Sequence, residues 1–231
     1  MKGCQVQKND DHYPVHLVRR LGKTAPASIT AAGNLDILKT PGIGLICSIQ
    51  CPGSIIIQTF DVIRRLRDEK IVLIGGFHSP MERECLDILL RGSQPVILCP
   101  AKSLRNLRMG KAAQKALAEG RLLVLSFFGD EVRRATSFEA LLRNDMVAAL
   151  AEAILVPHAV KNGKAWTAIR RALENGQKIL TFEDEANTDL VASGARAYRN
   201  NHIDDIVDDI RLTCSANGRI FRTARLTSSV T

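Results

Sequence analysis

Three glycine-bearing turns contain the residues of this sequence best suited to chemistry. Each follows a short apolar run and leads into a stretch with helical spacing: Cys51 to Ser54, Gly75 to Ser79 and Asn162 to Thr167. Free backbone N–H groups at a helix start point outward, and the helix dipole favours a negative charge. The spacing therefore predicts phosphate binding, although the first turn alone is equally consistent with an ordinary strand-to-helix connection.

The second turn, Gly75-Gly76-Phe77-His78-Ser79, offers several groups to a ligand. Its adjacent glycines let a ligand approach the backbone closely. Ser79 can cap the next helix and still contact a phosphate. His78 can donate to a phosphate or a base edge, and a histidine satisfied within its own loop is the alternative.

Cations and an amide accompany these turns. Arg143-Asn144 is placed at a helix start, where the pair suits a phosphate or a base, with a surface salt bridge as the alternative. Lys164 adds a cation to the third turn. A basic segment spreads over about half the circumference of one predicted helix and is either a solvated face or a face that binds a phosphate backbone. Its members are Lys102, Arg105, Arg108, Lys111, Lys115 and Arg121.

Together these features predict one set of phosphate- and nucleic-acid-binding residues. The set is Ser48, Gly53, Gly75, Gly76, Phe77, His78, Ser79, Arg143, Asn144, Gly163, Lys164 and Thr167.

Motifs for catalysis or metal binding are missing from the sequence. It contains no nucleophile elbow, no P-loop and no dinucleotide fingerprint. Cys47 and Cys51 are close in sequence, but no second Cys or His pair completes a zinc site. We therefore predict no catalytic residue, no metal and no cofactor, and interpret the six cysteines as free thiols of a reducing cytosol.

The elements that must position these turns alternate between short aliphatic strands and helical stretches. Strands covered by helices on both faces have this composition, so we expect an α/β fold with a mostly parallel sheet. Ligands bind such sheets beyond the carboxyl ends of the strands. The predicted strands are Ile43–Ser48, Ile71–Gly75, Pro95–Cys99, Leu122–Ser126, Ala153–Pro157 and Lys178–Phe182. The predicted helices are Ser54–Asp68, Pro80–Arg91, Arg143–Glu152 and Gly163–Asn175, and Ile203–Ile210 is amphipathic.

Composition and charge limit the function classes. A hydrophobic content of 45% is enough for a substantial core, and a net charge of +8 favours polyanionic partners. No apolar run is long enough for a membrane span, and residues 1–11 lack the apolar stretch of a signal peptide. We expect a cytoplasmic protein without membrane contact.

Taken in order, the segments resemble the DNA-processing protein A (DprA/Smf) family. The resemblance runs from about Tyr13 to Tyr198 and depends on the order of several motifs. These are Tyr13-Pro14-x-x-Leu17, Gly33-Asn34-Leu35, Ser48 to Gly53, Gly75 to Ser79, Arg143-Asn144, Gly163 to Ala168, and Asn187-x-x-Leu190 with Gly194-Ala195. Gln50 departs from the pattern, because close relatives of this compact type place a basic residue there.

The resemblance implies a Rossmann-like three-layer sandwich that binds DNA, with single-stranded DNA and a recombinase as partners. We expect an N-terminal lead-in (1–40), a Rossmann-like domain (41–213) and, because the chain becomes polar and basic after Cys214, a flexible tail (214–231). A homodimer is a further expectation. Two alternatives stay open, a nucleotide-processing enzyme of a related Rossmann-like family and a sensor of free nucleotides.

Overall fold

The computed structural model describes residues 3–105, 107–199 and 202–227, with side chains as far as Ser215 in the last range. The strands are β1 (Cys4–Gln7), β2 (Ser28–Gly33), β3 (Gly42–Leu45), β4 (Val72–Gly75), β5 (Val96–Leu98), β6 (Leu122–Ser126), β7 (Ala153–Leu155), β8 (Lys178–Phe182) and β9 (Arg196–Tyr198). The helices are α1 (Val15–Leu21), α2 (Gly53–Asp68), α3 (Pro80–Leu90), α4 (Lys111–Ala118), α5 (Ser137–Leu150), α6 (Lys164–Glu174), α7 (Thr188–Ala192) and α8 (Ile203–Thr227).

All the strands form one sheet in the order β1-β2-β6-β5-β4-β3-β7-β8-β9. Seven neighbouring strands of this sheet are parallel to one another: β6, β5, β4, β3, β7, β8 and β9. Their carboxyl ends therefore lie at one edge of the sheet. The predicted mostly parallel α/β sheet is confirmed, and all six predicted strands are present within a few residues of their predicted ends.

Successive side chains of each strand point to opposite faces of the sheet, and helices pack on both faces, so the fold has three layers. Leu122 and Val124 of β6 belong to one buried cluster, whereas Leu123 and Leu125 belong to a second cluster on the opposite face. The first cluster also takes apolar side chains of α2, α3, α4 and α8, and the second takes those of α1, α5, α6 and α7. The sheet is therefore covered on both sides, as its aliphatic composition predicts.

The N-terminal segment extends the sheet in a way that the sequence did not predict. Within the predicted lead-in, β1 pairs antiparallel with β2, and β2 pairs antiparallel with β6. Only Val6 is buried in β1. Such a short and mostly polar edge strand has almost no apolar periodicity to detect. The short edge strand β9 was missed for the same reason.

Two predicted helices differ from those observed. Helix α5 begins at Ser137, six residues before the predicted start, because Thr136 and Glu139 form a capping box there. Arg143 and Asn144 therefore lie inside this helix and not at its start. The prediction of one helix through the basic segment is also wrong, since among the described residues of this segment only Lys111–Ala118 is helical.

The amphipathic stretch forms the start of α8. Its residues Ile206, Val207 and Ile210 are buried. Asp209 of the same helix forms an ion pair with Lys178 of β8. Helix α8 continues to Thr227, inside the predicted flexible tail (214–231), and residues 228–231 lie outside the described residues, so the flexibility of the tail stays a prediction. Among the described residues, no helix has both the length and the apolar content needed to cross a membrane.

Candidate nucleic-acid interface

A cleft of about 1280 Å³ opens at the carboxyl edge of the sheet. The loops after five adjacent strands, β6, β5, β4, β3 and β7, contribute to its lining. Nine predicted site residues line it: Ser48, Gly76, Phe77, His78, Ser79, Arg143, Asn144, Gly163 and Lys164. Gly53, Gly75 and Thr167 are not part of the lining, so the structure brings together most of the predicted set.

The three predicted residues outside the lining belong to the helices and the strand that flank the cleft. Gly53 is the first residue of α2 and is exposed. Gly75 is the last residue of β4, and its carbonyl accepts from the N–H of Cys99 at 2.8 Å. The Thr167 hydroxyl donates to the Gly163 carbonyl at 3.1 Å, within α6.

Arg143 lies at the centre of the cleft, against the backbone of Gly76. The residue is only 6% exposed. Its Nε donates to Oδ1 of Asn144 at 2.9 Å, and Nη1 lies 3.5 Å from the Cys99 carbonyl. A Cβ atom built on Gly76 would lie 1.1 Å from that Nη1, so only glycine leaves room for the guanidinium. Mid-helix Arg143 thus reaches the loop after β4.

The electrostatic state of Arg143 favours an external anion. Burial lowers its pKa, and the Glu82 carboxylate acts in the opposite direction. No described carboxylate forms an ion pair with the guanidinium. A buried cation without a paired anion is costly, and a bound phosphate would remove that cost.

Glu82 fixes the loop between β4 and α3 from within. Its Oε2 accepts from the N–H groups of His78 (2.9 Å) and Ser79 (3.0 Å), and its Oε1 accepts from the N–H of Cys47 (3.1 Å). The Ser79 hydroxyl accepts from the Glu82 N–H at 3.2 Å, so Ser79 caps α3 as predicted. A carboxylate of the chain itself therefore occupies the anion-binding amides of this turn.

The start of α6 differs, because nothing caps it. Gly163 is the N-cap, with no side-chain hydrogen bond and no acidic residue in the first turn. The turn is held by the Gly163 N–H, which donates to the Val160 carbonyl at 2.9 Å, and by Asn162 at a φ of 63°. The first N–H groups of α6 and the Lys164 side chain could therefore bind an anion without competition from a carboxylate in this turn.

A buried amide holds the two loops of this side together. The Asn187 Nδ2 donates to the Pro157 carbonyl (2.8 Å) and the Thr181 hydroxyl (3.0 Å), and its Oδ1 contacts Nδ1 of His158 at 3.0 Å. The His158 carbonyl accepts from the Ser48 N–H at 3.0 Å, and the Ser48 Oγ accepts from the Val160 N–H at 2.9 Å. Asn187 thus positions the loops after β7 and β3, a role that its motif alone does not indicate.

His78 is exposed at the rim of the cleft. Burial against its neighbours lowers its pKa from 6.5, and the charges of Arg143, Arg83 and Lys164 lower it further, while Glu82 raises it. These effects favour the neutral form of His78 in the free protein. A bound anion would favour its charged form.

Four further cations line the cleft: Lys102, Arg108, Arg133 and Arg134. None of the four is ion-paired within the described part of the chain. Sequence reasoning missed Arg133 and Arg134, whose only signal is their adjacency in a loop.

The basic segment itself is divided between the cleft and local ion pairs. Lys102 and Arg108 face the cleft. Arg105 pairs with Asp130 at 3.7 Å, and Lys115 and Arg121 both pair with Glu119. The segment therefore does not form one continuous binding face.

Comparison with known proteins shows a family and a fold. The family model for DNA recombination-mediator protein A matches residues 5–211. None of the curated protein sequences compared with the chain matches it significantly.

Three solved structures are similar. DNA processing protein A from Streptococcus pneumoniae is 23% identical, with a TM-score of 0.72 over 86% of this chain and 71% of that chain. The Helicobacter pylori protein of that name, which has a unique single-stranded DNA binding mode, is 17% identical, with a TM-score of 0.71 over 90% and 97% of the two chains. A molybdenum cofactor binding protein from Rippkaea orientalis is 11% identical, with a TM-score of 0.53 over 74% and 97%.

Proposed function

This chain belongs to the DNA recombination-mediator protein A family, and on that premise we propose that it binds single-stranded DNA along the cleft at the carboxyl edge of its sheet. The observation that carries the proposal is the buried guanidinium of Arg143, which lies against Gly76 without an ion-paired carboxylate. The single-stranded DNA binding of the Helicobacter pylori relative supports the choice of ligand.

The dimensions of the cleft favour a polymer over a free nucleotide. Its volume, about 1280 Å³, exceeds the roughly 300–1,000 Å³ of usual small-molecule pockets. Five adjacent parallel strands span about 19 Å at the usual strand spacing. Arg133 and Arg134 follow β6 at one end of this span, Lys164 follows β7 at the other, and Arg143 lies between them. Cations spread in this way suit successive phosphates of a strand.

We propose a binding role and no catalysis. Glu82, a carboxylate in the cleft, has both oxygens engaged by backbone N–H groups, which suits a structural role and not proton transfer. A recombinase partner and a cytoplasmic location belong to the same proposal, because they suit a family role in DNA recombination. A homodimer is proposed on separate grounds, since apolar helix faces can pair two subunits with two-fold symmetry.

The test is a titration of a fluorescent oligothymidylate, with thymidine 5′-monophosphate as competitor. We compare the wild type with a double variant, Arg133→Gln with Arg134→Gln. The matched control is Lys70→Gln with Arg91→Gln, which removes the same charge from exposed residues at the far ends of α2 and α3.

We expect the cleft variant to bind about tenfold more weakly at low salt and the control to bind like the wild type. Equal losses in the two variants would mean that binding depends on net charge alone. If the monophosphate competed as well per molecule as the oligonucleotide, the cleft would be a nucleotide site.

A further inference from the structure

Cys47 and Cys51 form a thiol pair beside the cleft. Cys47 follows β3 and is 8% exposed, and Cys51 is half-buried two residues before α2. The chain bends at Ile49 and Gln50, which returns Cys51 to the apolar cluster that contains Cys47. The thiols of Cys47 and Cys51 are close enough for their hydrogen bonding to act on the pKa of both groups.

The two sulfur atoms have unequal surroundings. The hydrogen bond from Cys47 lowers the pKa of Cys51, while burial and Asp184 oppose this. The same bond and burial raise the pKa of Cys47. Helix α2 has no side-chain cap and no acidic residue in its first turn, so its dipole also favours a thiolate just before it.

Metal binding does not explain the pair. In the described ranges, no group of three or more His, Cys, Asp or Glu side chains is placed to hold a metal ion. Cys85, another buried thiol, contacts the sulfur of Met81 at 3.4 Å. A dithiol pair is therefore the chemistry that these residues offer.

We propose that Cys47 and Cys51 are a reversible redox site that a peroxide converts to an intramolecular disulfide. The Cys51 thiolate attacks one peroxide oxygen, the O–O bond breaks, and Cys51 becomes a sulfenic acid as hydroxide leaves. The Cys47 sulfur then attacks the Cys51 sulfur, the S–O bond breaks, and the released hydroxide takes the Cys47 proton as water. Two thiols and one hydrogen peroxide thus give one disulfide and two waters.

The disulfide would act on the cleft through the three residues that it encloses, Ser48, Ile49 and Gln50, all of which line the cleft. The Ser48 hydroxyl also accepts a hydrogen bond from the Val160 N–H, and the Val160 carbonyl accepts one from the Gly163 N–H. A change in the Ser48 loop can therefore reach the start of α6. The effect on DNA rests on the proposed function, whereas formation of the disulfide does not. We expect oxidation to weaken DNA binding about tenfold, a usual coupling between two sites, and a thiol reductant to restore it.

The experiment treats the folded full-length chain with hydrogen peroxide and then alkylates it under denaturing conditions. Trypsin releases residues 40–64 as one peptide, which holds Cys47 and Cys51 and no other cysteine. We expect this peptide to lose two hydrogen masses and to escape alkylation, and both changes to reverse after reduction. Alkylation of both cysteines after peroxide, or pairing of either with Cys85 or with a second chain, would overturn the proposal.

Two variants keep the result specific. Cys51→Ser should leave Cys47 alkylated and DNA binding insensitive to peroxide. A Cys4→Ser, Cys214→Ser variant lacks two other accessible thiols and should behave like the wild type. If the disulfide forms but DNA affinity does not change, the proposed effect on the cleft is wrong, whereas the proposed disulfide stands. Absence of DNA binding by the reduced protein would instead count against the proposed function.

Discussion

The guanidinium of Arg143 occupies the space in which any residue other than glycine at position 76 would place its Cβ atom. This relationship joins a mid-helix cation of α5 to the loop after β4. It explains why the second glycine of the Gly75-Gly76 turn matters: it makes room for a side chain of the same protein. On the proposed function, a ligand would meet a positioned cation at this turn and not a bare backbone.

The first prediction concerns Gly76→Ala. The new methyl group displaces the flexible end of Arg143, so DNA affinity should fall about 10- to 100-fold, the usual value of a charged hydrogen bond. Arg143→Ala should cause a similar loss. The double variant should bind no more weakly than either single variant, because both remove the same contact. Additive losses in a binding titration would contradict this link, and Gly110→Ala, with open space around its Cβ, is the control.

The second prediction is a gain of affinity from Gln50→Arg. Gln50 is exposed and lines the cleft at the position where the resemblance leads us to expect a basic residue. An added cation that meets one phosphate should tighten binding at low salt and steepen the salt dependence of log K by about 0.7. Gln50→Glu should weaken binding. Unchanged affinity in both variants would show that the strand does not pass this loop.

The third prediction concerns stability. Glu82→Ala removes the acceptor of three N–H groups, and the variant should lose about 2–4 kcal/mol in the free energy of unfolding. Glu139→Ala removes the equivalent residue of the α5 capping box, which is more exposed, and should cost less. Urea unfolding measures both. Equal losses would mean that the Glu82 contacts add nothing to an ordinary cap.

The fourth prediction is a pH dependence that arises from His78. In the free protein its pKa lies below 6.5. A bound phosphate raises this pKa, so binding takes up a proton. Affinity should therefore rise as the pH falls from above the pKa of His78 in the complex to below its pKa in the free protein. Oligonucleotides without terminal phosphates, titrated between about pH 5.5 and 8, measure this slope. His78→Gln should flatten it, and an unchanged slope would place His78 outside the contact.

Sequence patterns predicted the sheet, and nine of the twelve predicted binding residues line the cleft, because strands and turns both depend on local composition. The aliphatic strands and the turns at Gly76 and Gly163 follow from residues within each segment. The contact between Arg143 and Gly76 joins residues far apart in sequence, and no local pattern encodes it. The early start of α5 was missed although Thr136-x-x-Glu139 was visible, because the sequence reading gave weight to the apolar run instead.

The role of Glu82 shows a second limit. Two acidic residues near the start of α3 are visible in the sequence, but only the fold shows that Glu82 reaches back to Cys47 after β3. That contact makes the α3 turn an internally satisfied structure, in contrast to the uncapped start of α6. Similar glycine turns therefore differ in the N–H groups that they leave free, because of a neighbour that the turn sequence does not contain.

The most direct measurement of the central claim is the affinity of the wild type and of Arg143→Ala for single- and double-stranded DNA across a range of salt concentrations. We predict that the wild type prefers the single strand, with affinity falling linearly in log–log form as salt rises. Arg143→Ala should lose about 10- to 100-fold on the single strand and most of the preference, because the cation removed is buried in the cleft. Equal affinity of the two proteins for the single strand would contradict the proposal that this cleft binds DNA.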